Sequence, residues 1–256
     1  ARSSAASDVY KRQPPRPRAE RHGIRVEIVL ATDPRTVPAR PGGMARIPTA
    51  VLMHQLILAS GSSARLTQLR LAGLDPRTIV SGVEENPLPG ETALELTCRL
   101  AQLKARTVAD HVEMNGPMII IGCDSVLQME GRIHGKPGSI ERVKRWWHQM
   151  RRQSGMLVTG HHVIVRDDRG ERSATRAAST ALTFADLTDE EIDAYAETGQ
   201  ATQVAGGVMM DGLGAPFITR IVGDPHNVTG ISLPLLRQIL LDLDVPWQSL
   251  WQSSEA

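Results

Sequence analysis

From residue 54 onward the apolar positions fall into short blocks that switch between the period of a strand and that of a helix. Residues 55–59 read as a buried strand. A helix then runs over residues 63–72 and stops at Gly73. "RTIVSGVEENP" gives a strand at 77–81 that ends in an acidic loop. "GETALELTCRLAQLKARTVADHV" carries the clearest helical spacing, with Leu94, Leu100, Leu103 and Val108 on the recurring positions. "PMIIIGCD" is a β-branched run closed by an acid, so it reads as a core strand, and "SVLQMEGRIHGKP" follows as a short hairpin around Gly131. "SIERVKRWWHQM" is a helix. "MLVTGHHVIV" and "ATRAASTALTFA" are two long strands joined at "RDDRGER". "TDEEIDAYAETG" is a helix with Thr188 as its N-cap, acids in its first turn and Gly199 as its stop. "PFITRIVG" is a further strand and "SLPLLRQILLDL" a closing helix. Strands that alternate with helices define an α/β protein.

Residues 1–52 break this pattern. "ARSSAASDVYKRQPPRPRAERHG" is rich in Arg, Pro, Ser and Ala and has no apolar period, so it buries too little surface to offset its ordering entropy. "GIRVEIVLA" is the one stretch there that passes as a strand. The expectation is a disordered or non-native extension ahead of a true start at Met44 or Met53, with 53–256 as a single catalytic domain. The chain is 41% hydrophobic, ordinary for a globular protein, and its formal net charge is +1. No global field favours a nucleic acid polymer or an anionic membrane, so any anion binding is local. The two cysteines, Cys98 and Cys123, lie outside metal or redox spacings and fit a reducing cytoplasm. The longest apolar runs are too short to span a bilayer.

The candidate chemistry clusters around one loop. After the first strand come Ala59-Ser60-Gly61-Ser62-Ser63-Ala64-Arg65. Small residues there let the backbone approach an anion, and hydroxyls with free N–H groups at a helix start can hold phosphate oxygens. Arg65, one turn into the helix, could clamp a phosphate in two-pronged fashion. Asp124 follows an apolar strand, where open α/β sheets place their ligands, and reads equally as a capping turn or as a metal-binding or proton-accepting acid. Glu84 and Glu85 offer hard oxygen donors or a plain solvated loop. Lys104 on its helix and Lys136 in the "HGKP" turn are, taken singly, ordinary surface lysines. "GRIHGKP" is not a P-loop: its glycines enclose three residues, and Pro137 brings neither N–H nor hydroxyl. His161 and His162, adjacent on a strand, face opposite sides and do not easily share a metal. Trp146 and Trp147 read as packing, and Cys123 as a core thiol.

In this order the motifs resemble the Maf family of nucleotide pyrophosphatases. The family's opening A-S-x-S-P-R-R stands here as "ASGSSAR", its acidic loop as "GVEEN", its R-L-A-x-x-K-A as "RLAQLKA", its G-A-D-T as Gly122-Cys123-Asp124-Ser125, and its K-P turn as Lys136-Pro137. "LVTGHHVIV", "LTFADLTDEEIDAYAETG", "AGGVMMDGLGAPF" and "GDPHNVTGISLPLL" continue the likeness, which runs from about residue 54 to about 245. The resemblance implies an elongated mixed sheet with flanking helices and two lobes around a central cleft, as in inosine-triphosphatase-like proteins. It implies hydrolysis of a nucleoside triphosphate to the monophosphate and pyrophosphate with a divalent cation, Mg²⁺ or Mn²⁺, to remove non-standard or excess nucleotides. The family has also been linked to septum formation. Carried over by position, Asp124 activates water, Glu85 and Asp124 hold the metal, Lys104 and Lys136 complete the catalytic set, and Ser60, Ser62 and Arg65 bind the triphosphate.

The departures fall where the family chooses its base. The signature's proline and first arginine are Ser63 and Ala64, the Thr after the catalytic acid is Ser125, and Asp211 replaces the Gln of members selective for dTTP and UTP. A carboxylate facing a uracil carbonyl would repel it, so a preference for dTTP or UTP is not expected. Two other readings compete. "LASGSSAR" partly mimics the L-A-A-G-x-G-T-R of sugar-phosphate nucleotidyltransferases, and the same scaffold could serve as a non-catalytic nucleotide-binding division regulator. The sequence leaves a homodimer open.

Overall fold

The computed structural model describes residues 27–28 and 54–251. The expectation for residues 1–52 lies outside these, apart from Glu27–Ile28 (β1), part of the "GIRVEIVLA" stretch. The next elements are β2 (Gln55–Leu58), α1 (Ser63–Leu71), β3 (Arg77–Thr78), α2 (Ala93–His111), β4 (Met118–Met129) and β5 (Arg132–His134). They are followed by α3 (Ile140–Met150), β6 (Ser154–Asp167), β7 (Gly170–Phe184), α4 (Asp189–Glu197), β8 (Ile218–Val222), α5 (Pro225–Val228) and α6 (Leu233–Asp242). The strands form one 8-stranded sheet in the order β1-β7-β6-β4-β2-β3, with β5 beside β4 and β8 beside β7. β2 runs parallel to β3 and β4, while β4, β6, β7 and β8 pair antiparallel. The α/β class and mixed sheet expected from the sequence are thus present. Among the described residues no helix is long and apolar enough to cross a membrane.

Side-chain hydrogen bonds fix the helix starts. Ser62, Ser139 and Ser232 cap α1, α3 and α6, and both Thr92–Glu95 and Thr188–Glu191 form reciprocal capping boxes on α2 and α4. Two boundaries differ most from the sequence reading: the strand read at 77–81 is only Arg77–Thr78, and β4 runs on past Asp124. The strand expected to close at Asp124 continues as β4 to Met129, where it forms the first arm of the hairpin expected around Gly131, turning at Glu130 and Gly131 into β5. Asp124 therefore lies inside a strand rather than past the end of one. The antiparallel ladder with β6 is the reason, since it runs unbroken from Met118–Arg166 to Gln128–Met156 and leaves no free strand end at Asp124.

β4, β6 and β7 are long enough to serve two cores on one face. Ile119, Ile121 and Cys123 of β4 pack with Val163, Val165, Leu236 and Ile239 at one end. Leu127 and Met129 pack with Trp147, Leu157, Phe184 and Tyr195 at the other. These are the two lobes. Residues of one strand that alternate share a face, so the position between the cores on β4 is Ser125, and its rung partner on β6 is Thr159. A polar pair thus interrupts an otherwise apolar stripe.

The opposite face carries α2, and two glycines let it lie close. A Cβ on Gly122 would sit 2.2 Å from the Ala101 carbonyl oxygen, and one on Gly160 would sit 2.3 Å from the Thr97 carbonyl. The obstacle in both cases is helix backbone, which cannot swing aside. We expect Gly122→Ala to destabilise the protein by ~3 kcal/mol, the upper part of the range for overpacked cores. Urea unfolding measures it, as a lower midpoint at unchanged slope. An unchanged midpoint would mean that the helix does not rest on this glycine.

Candidate active site

The close seat of α2 decides where its one buried lysine points. Lys104 is only 6% exposed, which excludes the surface reading that its sequence context allowed. Its ammonium lies 2.6 Å from Asp124 Oδ1 on β4 and 2.7 Å from Glu85 Oε1 on the loop between β3 and α2. Lys136, in the turn after β5, reaches Glu85 Oε2 at 3.4 Å. Residues from four separate elements thus share one charge network, as the sequence motifs required. Glu84, its neighbour in the acidic loop, is exposed.

The charges shift the carboxyls in opposite directions. Burial pushes the Asp124 carboxyl above the ordinary aspartate range, and the nearby Lys104 and Arg65 cations only partly oppose it. Burial also works to raise Glu85, but hydrogen bonding and charge from Lys104, aided by Lys136, outweigh it, and the net shift is downward. Two carboxyls on one lysine therefore differ in basicity, with Asp124 the better proton acceptor.

Arg65 is also buried, at 9% exposure, but it is tied down differently. Its Nε donates to the Gly230 carbonyl at 2.7 Å, Nη1 to Ser60 Oγ at 3.0 Å and Nη2 to Ser125 Oγ at 2.9 Å. Three of the guanidinium's five N–H groups are thereby engaged within the chain, and two remain for an anion. Ser60 and Ser62 stay with the loop: Ser60 Oγ also accepts from the Ser62 N–H at 3.2 Å, and Ser62 Oγ caps α1 by accepting from the Arg65 N–H. Ser125 points to the Arg65 side of β4 and Asp124 to the Lys104 side. Ala64 sits beside Arg65 on α1, half-buried, while Asp211 is an exposed residue in the turn after the 3₁₀ segment Ala205–Gly207, where its charge is felt by Tyr195.

Several residues hold the site in ways their sequence context did not reveal. Ser125 Oγ shares a hydrogen bond of 2.9 Å with Thr159 Oγ1. Asn227 Nδ2 binds Thr180 Oγ1 at 3.1 Å and the Leu157 carbonyl at 3.2 Å, which pins α5 to β6 and β7. His161 is wholly buried, and its Nε2 accepts from the Ser232 N–H at 2.9 Å, fixing the start of α6 beside the Gly230 turn that carries Arg65's acceptor. A polar residue in the apolar phase of a strand, as at Ser125, Thr159 and His161, was the available clue. His162 faces the other side and binds Thr175 Oγ1, so the two histidines share no metal. Trp147 is fully buried with its indole N–H on the Gly207 carbonyl, and Cys123 is a core thiol pushed up to about 11 by burial.

A hard divalent cation suits this donor set. Asp124 and Glu85 each present one oxygen to Lys104, which leaves Asp124 its second oxygen, while that of Glu85 meets Lys136 at 3.4 Å and keeps a lone pair to spare. Among the described residues no group of three or more His, Cys, Asp and Glu side chains is poised for a metal. A cation here would complete its shell from water and a ligand's phosphate oxygens, which is how Mg²⁺ is commonly bound. By contrast, the shallow depression of about 460 Å³ beside α6, lined by Ala72, His226, Leu233, Pro234, Arg237 and Trp247, holds none of these acids or lysines.

The fold and site define a mixed α/β protein in which two carboxylates and two lysines share one charge network, with an anchored arginine on the other side of β4. The family model described as Maf-like protein matches residues 55–243, and the chain belongs to that family. A Cutibacterium acnes protein named nucleoside triphosphate pyrophosphatase is 54% identical over 199 residues, covering 76% of this chain and 93% of that one. A Streptomyces avermitilis protein of the same name is 46% identical over 202 residues, covering 79% and 97%. Among solved structures, the Staphylococcus aureus Ham1 protein aligns at 15% identity with a TM-score of 0.30, over 52% of this chain and 72% of its own, too distant to carry an argument.

Burial sets a pH response that can be measured. His161 and His162 titrate at about 3 and about 4 in the fold, against 6.5 when unfolded. Burial lowers both, so the unfolded chain takes up their protons first. Their contribution to stability is complete above pH 6.5 and is lost as pH falls from there toward 4. Each should add about 1.4 kcal/mol per pH unit to the slope within that window. We expect His161→Asn, which keeps an acceptor for Ser232, to flatten the slope by one such increment in urea unfolding at pH 4.5, 5.5 and 6.5. Parallel profiles would show that His161 is not buried neutral.

Proposed function

We propose that this protein hydrolyses a nucleoside triphosphate at the α-phosphorus, releasing the nucleoside monophosphate and pyrophosphate. The observation that carries this reading is Lys104 buried between Asp124 and Glu85, with Lys136 on the same network. The activity for which the relatives are named supports it. Their 93% and 97% coverage matters here, because it leaves little of either relative unmatched by this chain.

The chemistry follows from the side chains. Asp124 takes the proton from a water aimed in line at the α-phosphorus. Its raised proton affinity makes it a better base than an exposed carboxylate, while Lys104 keeps it ionised. A P–O bond forms from that water, and the bond from the α-phosphorus to the bridging oxygen breaks. Pyrophosphate leaves with the electron pair. Lys136, the two remaining Arg65 N–H groups and the backbone N–H groups at the start of α1 offset its growing charge. Glu85 and Asp124 are the residues that would hold Mg²⁺ or Mn²⁺, which when bound neutralises charge on the phosphate oxygens.

Base choice in this reading rests on Ala64 and Asp211, with Ser125 acting through its bond to Arg65. An exposed carboxylate at Asp211 disfavours the carbonyl edge of thymine and uracil, which agrees with removal of non-standard or excess nucleotides. The two cysteines are free buried thiols, which suits a cytoplasmic setting.

We expect Asp124→Asn to lower pyrophosphate release at least about a hundredfold, the size of losing a placed general base, while triphosphate binding persists. Coupled pyrophosphate detection and calorimetry with a non-hydrolysable triphosphate measure the two. Undiminished turnover would remove Asp124 from its role. A wild-type protein that releases pyrophosphate only when a sugar phosphate is added would identify a transferase instead.

A further inference from the structure

Glu85 poses a problem that its own ion pairs do not solve. It belongs to the irregular segment between β3 and α2, where every residue from Glu84 to Gly90 is exposed. Few packing contacts hold such a segment, and fixing its backbone costs conformational entropy. Yet its carboxylate must meet Lys104 and Lys136 at fixed places.

Arg99, five residues before Lys104 on α2, supplies a tether. Its Nε donates to Glu91 Oε1 at 2.6 Å and its Nη2 to Glu91 Oε2 at 2.8 Å, a two-pronged pair. The same Nη2 donates to the carbonyl of Asn86, the residue after Glu85, at 3.1 Å. Glu91 then closes the turn: its Oε2 accepts from the Leu88 N–H at 2.9 Å, and its own N–H donates to the Leu88 carbonyl at 3.1 Å. The Glu91 side chain is 7% exposed and that of Arg99 is 29% exposed, so water competes little for the carboxylate. One helix thus holds the loop twice, with Lys104 on the acid and Arg99 on the backbone beside it.

We propose that Arg99, with Glu91, is a positioning residue that locks the 85–91 loop so that Glu85 is presented to Lys104 and to the substrate. The inference rests on the hydrolase reading for its kinetic consequence only. Lysine cannot replace Arg99, since a single ammonium lacks the fork that grips both oxygens of Glu91 and Asn86 together.

A double-mutant cycle with Glu85 separates positioning from general support of the fold. We expect Arg99→Ala to lower kcat/KM about tenfold in the wild-type background but less than about twofold in the Glu85→Gln background. Arg99→Lys should behave like Arg99→Ala. Hydrogen exchange of the peptide spanning 84–90 should speed up about tenfold in Arg99→Ala and in Glu91→Gln, with β4 and β6 unchanged. Equal losses in both backgrounds, or unaltered exchange in the loop, would overturn the proposal. A wild-type protein that hydrolyses no triphosphate would refute the hydrolase reading instead, and the exchange experiment would still decide whether Arg99 locks the loop.

Discussion

A lysine held away from water between two carboxylates is the interaction on which the site depends. Removing Lys104 and Asp124 from water costs several kcal/mol per ion, and only close, well-directed pairing offsets it. The backbone supplies that closeness. Gly122 and Gly160 carry no side chain where α2 crosses β4 and β6, so the helix sits low enough for Lys104 to reach Asp124 at 2.6 Å. A Cβ at either glycine would meet the helix backbone and press α2 away from β4 and β6, opening the Lys104–Asp124 contact.

The second constraint lies on the other face of the same strands. Two apolar cores share β4, β6 and β7 and leave a polar seam where they meet. Ser125 and Thr159 fill that seam, Arg65 bonds to it, and the Gly230 turn closes over the guanidinium. Because strand neighbours face opposite ways, Asp124 and Ser125 tie the lysine side to the arginine side through one backbone step. The two halves of the site therefore cannot shift independently.

Much of this was legible in the chain. Periodicity located the helices, and Thr188, Gly199 and the first strand fell as read, because local capping and patterning agree with the tertiary fold there. The fate of Asp124 was not legible. A carboxylate after an apolar run signals a strand end, and only the non-local ladder with β6 shows that the strand continues. Lys104 and Arg65 looked like a surface lysine and a free phosphate clamp, because burial and internal hydrogen bonds are set by partners far away in sequence. Arg99 was visible within "RLAQLKA", yet its task depends on Glu91 and Asn86 folding back to it. The role of α5 was likewise hidden, since Asn227 works through bonds to β6 and β7.

The same geometry explains why the two acids do different things. Asp124 is raised by burial and restrained by Lys104, whereas the two lysines hold Glu85 low. Titrating the Asp124 carboxyl by carbon NMR in the wild-type protein and in Lys104→Met tests this most directly. Loss of the cation should move the Asp124 midpoint upward by more than about one pH unit, the usual effect of removing an opposite charge at contact distance. An Asp124 that titrates at the same pH in both proteins would contradict the buried bridge.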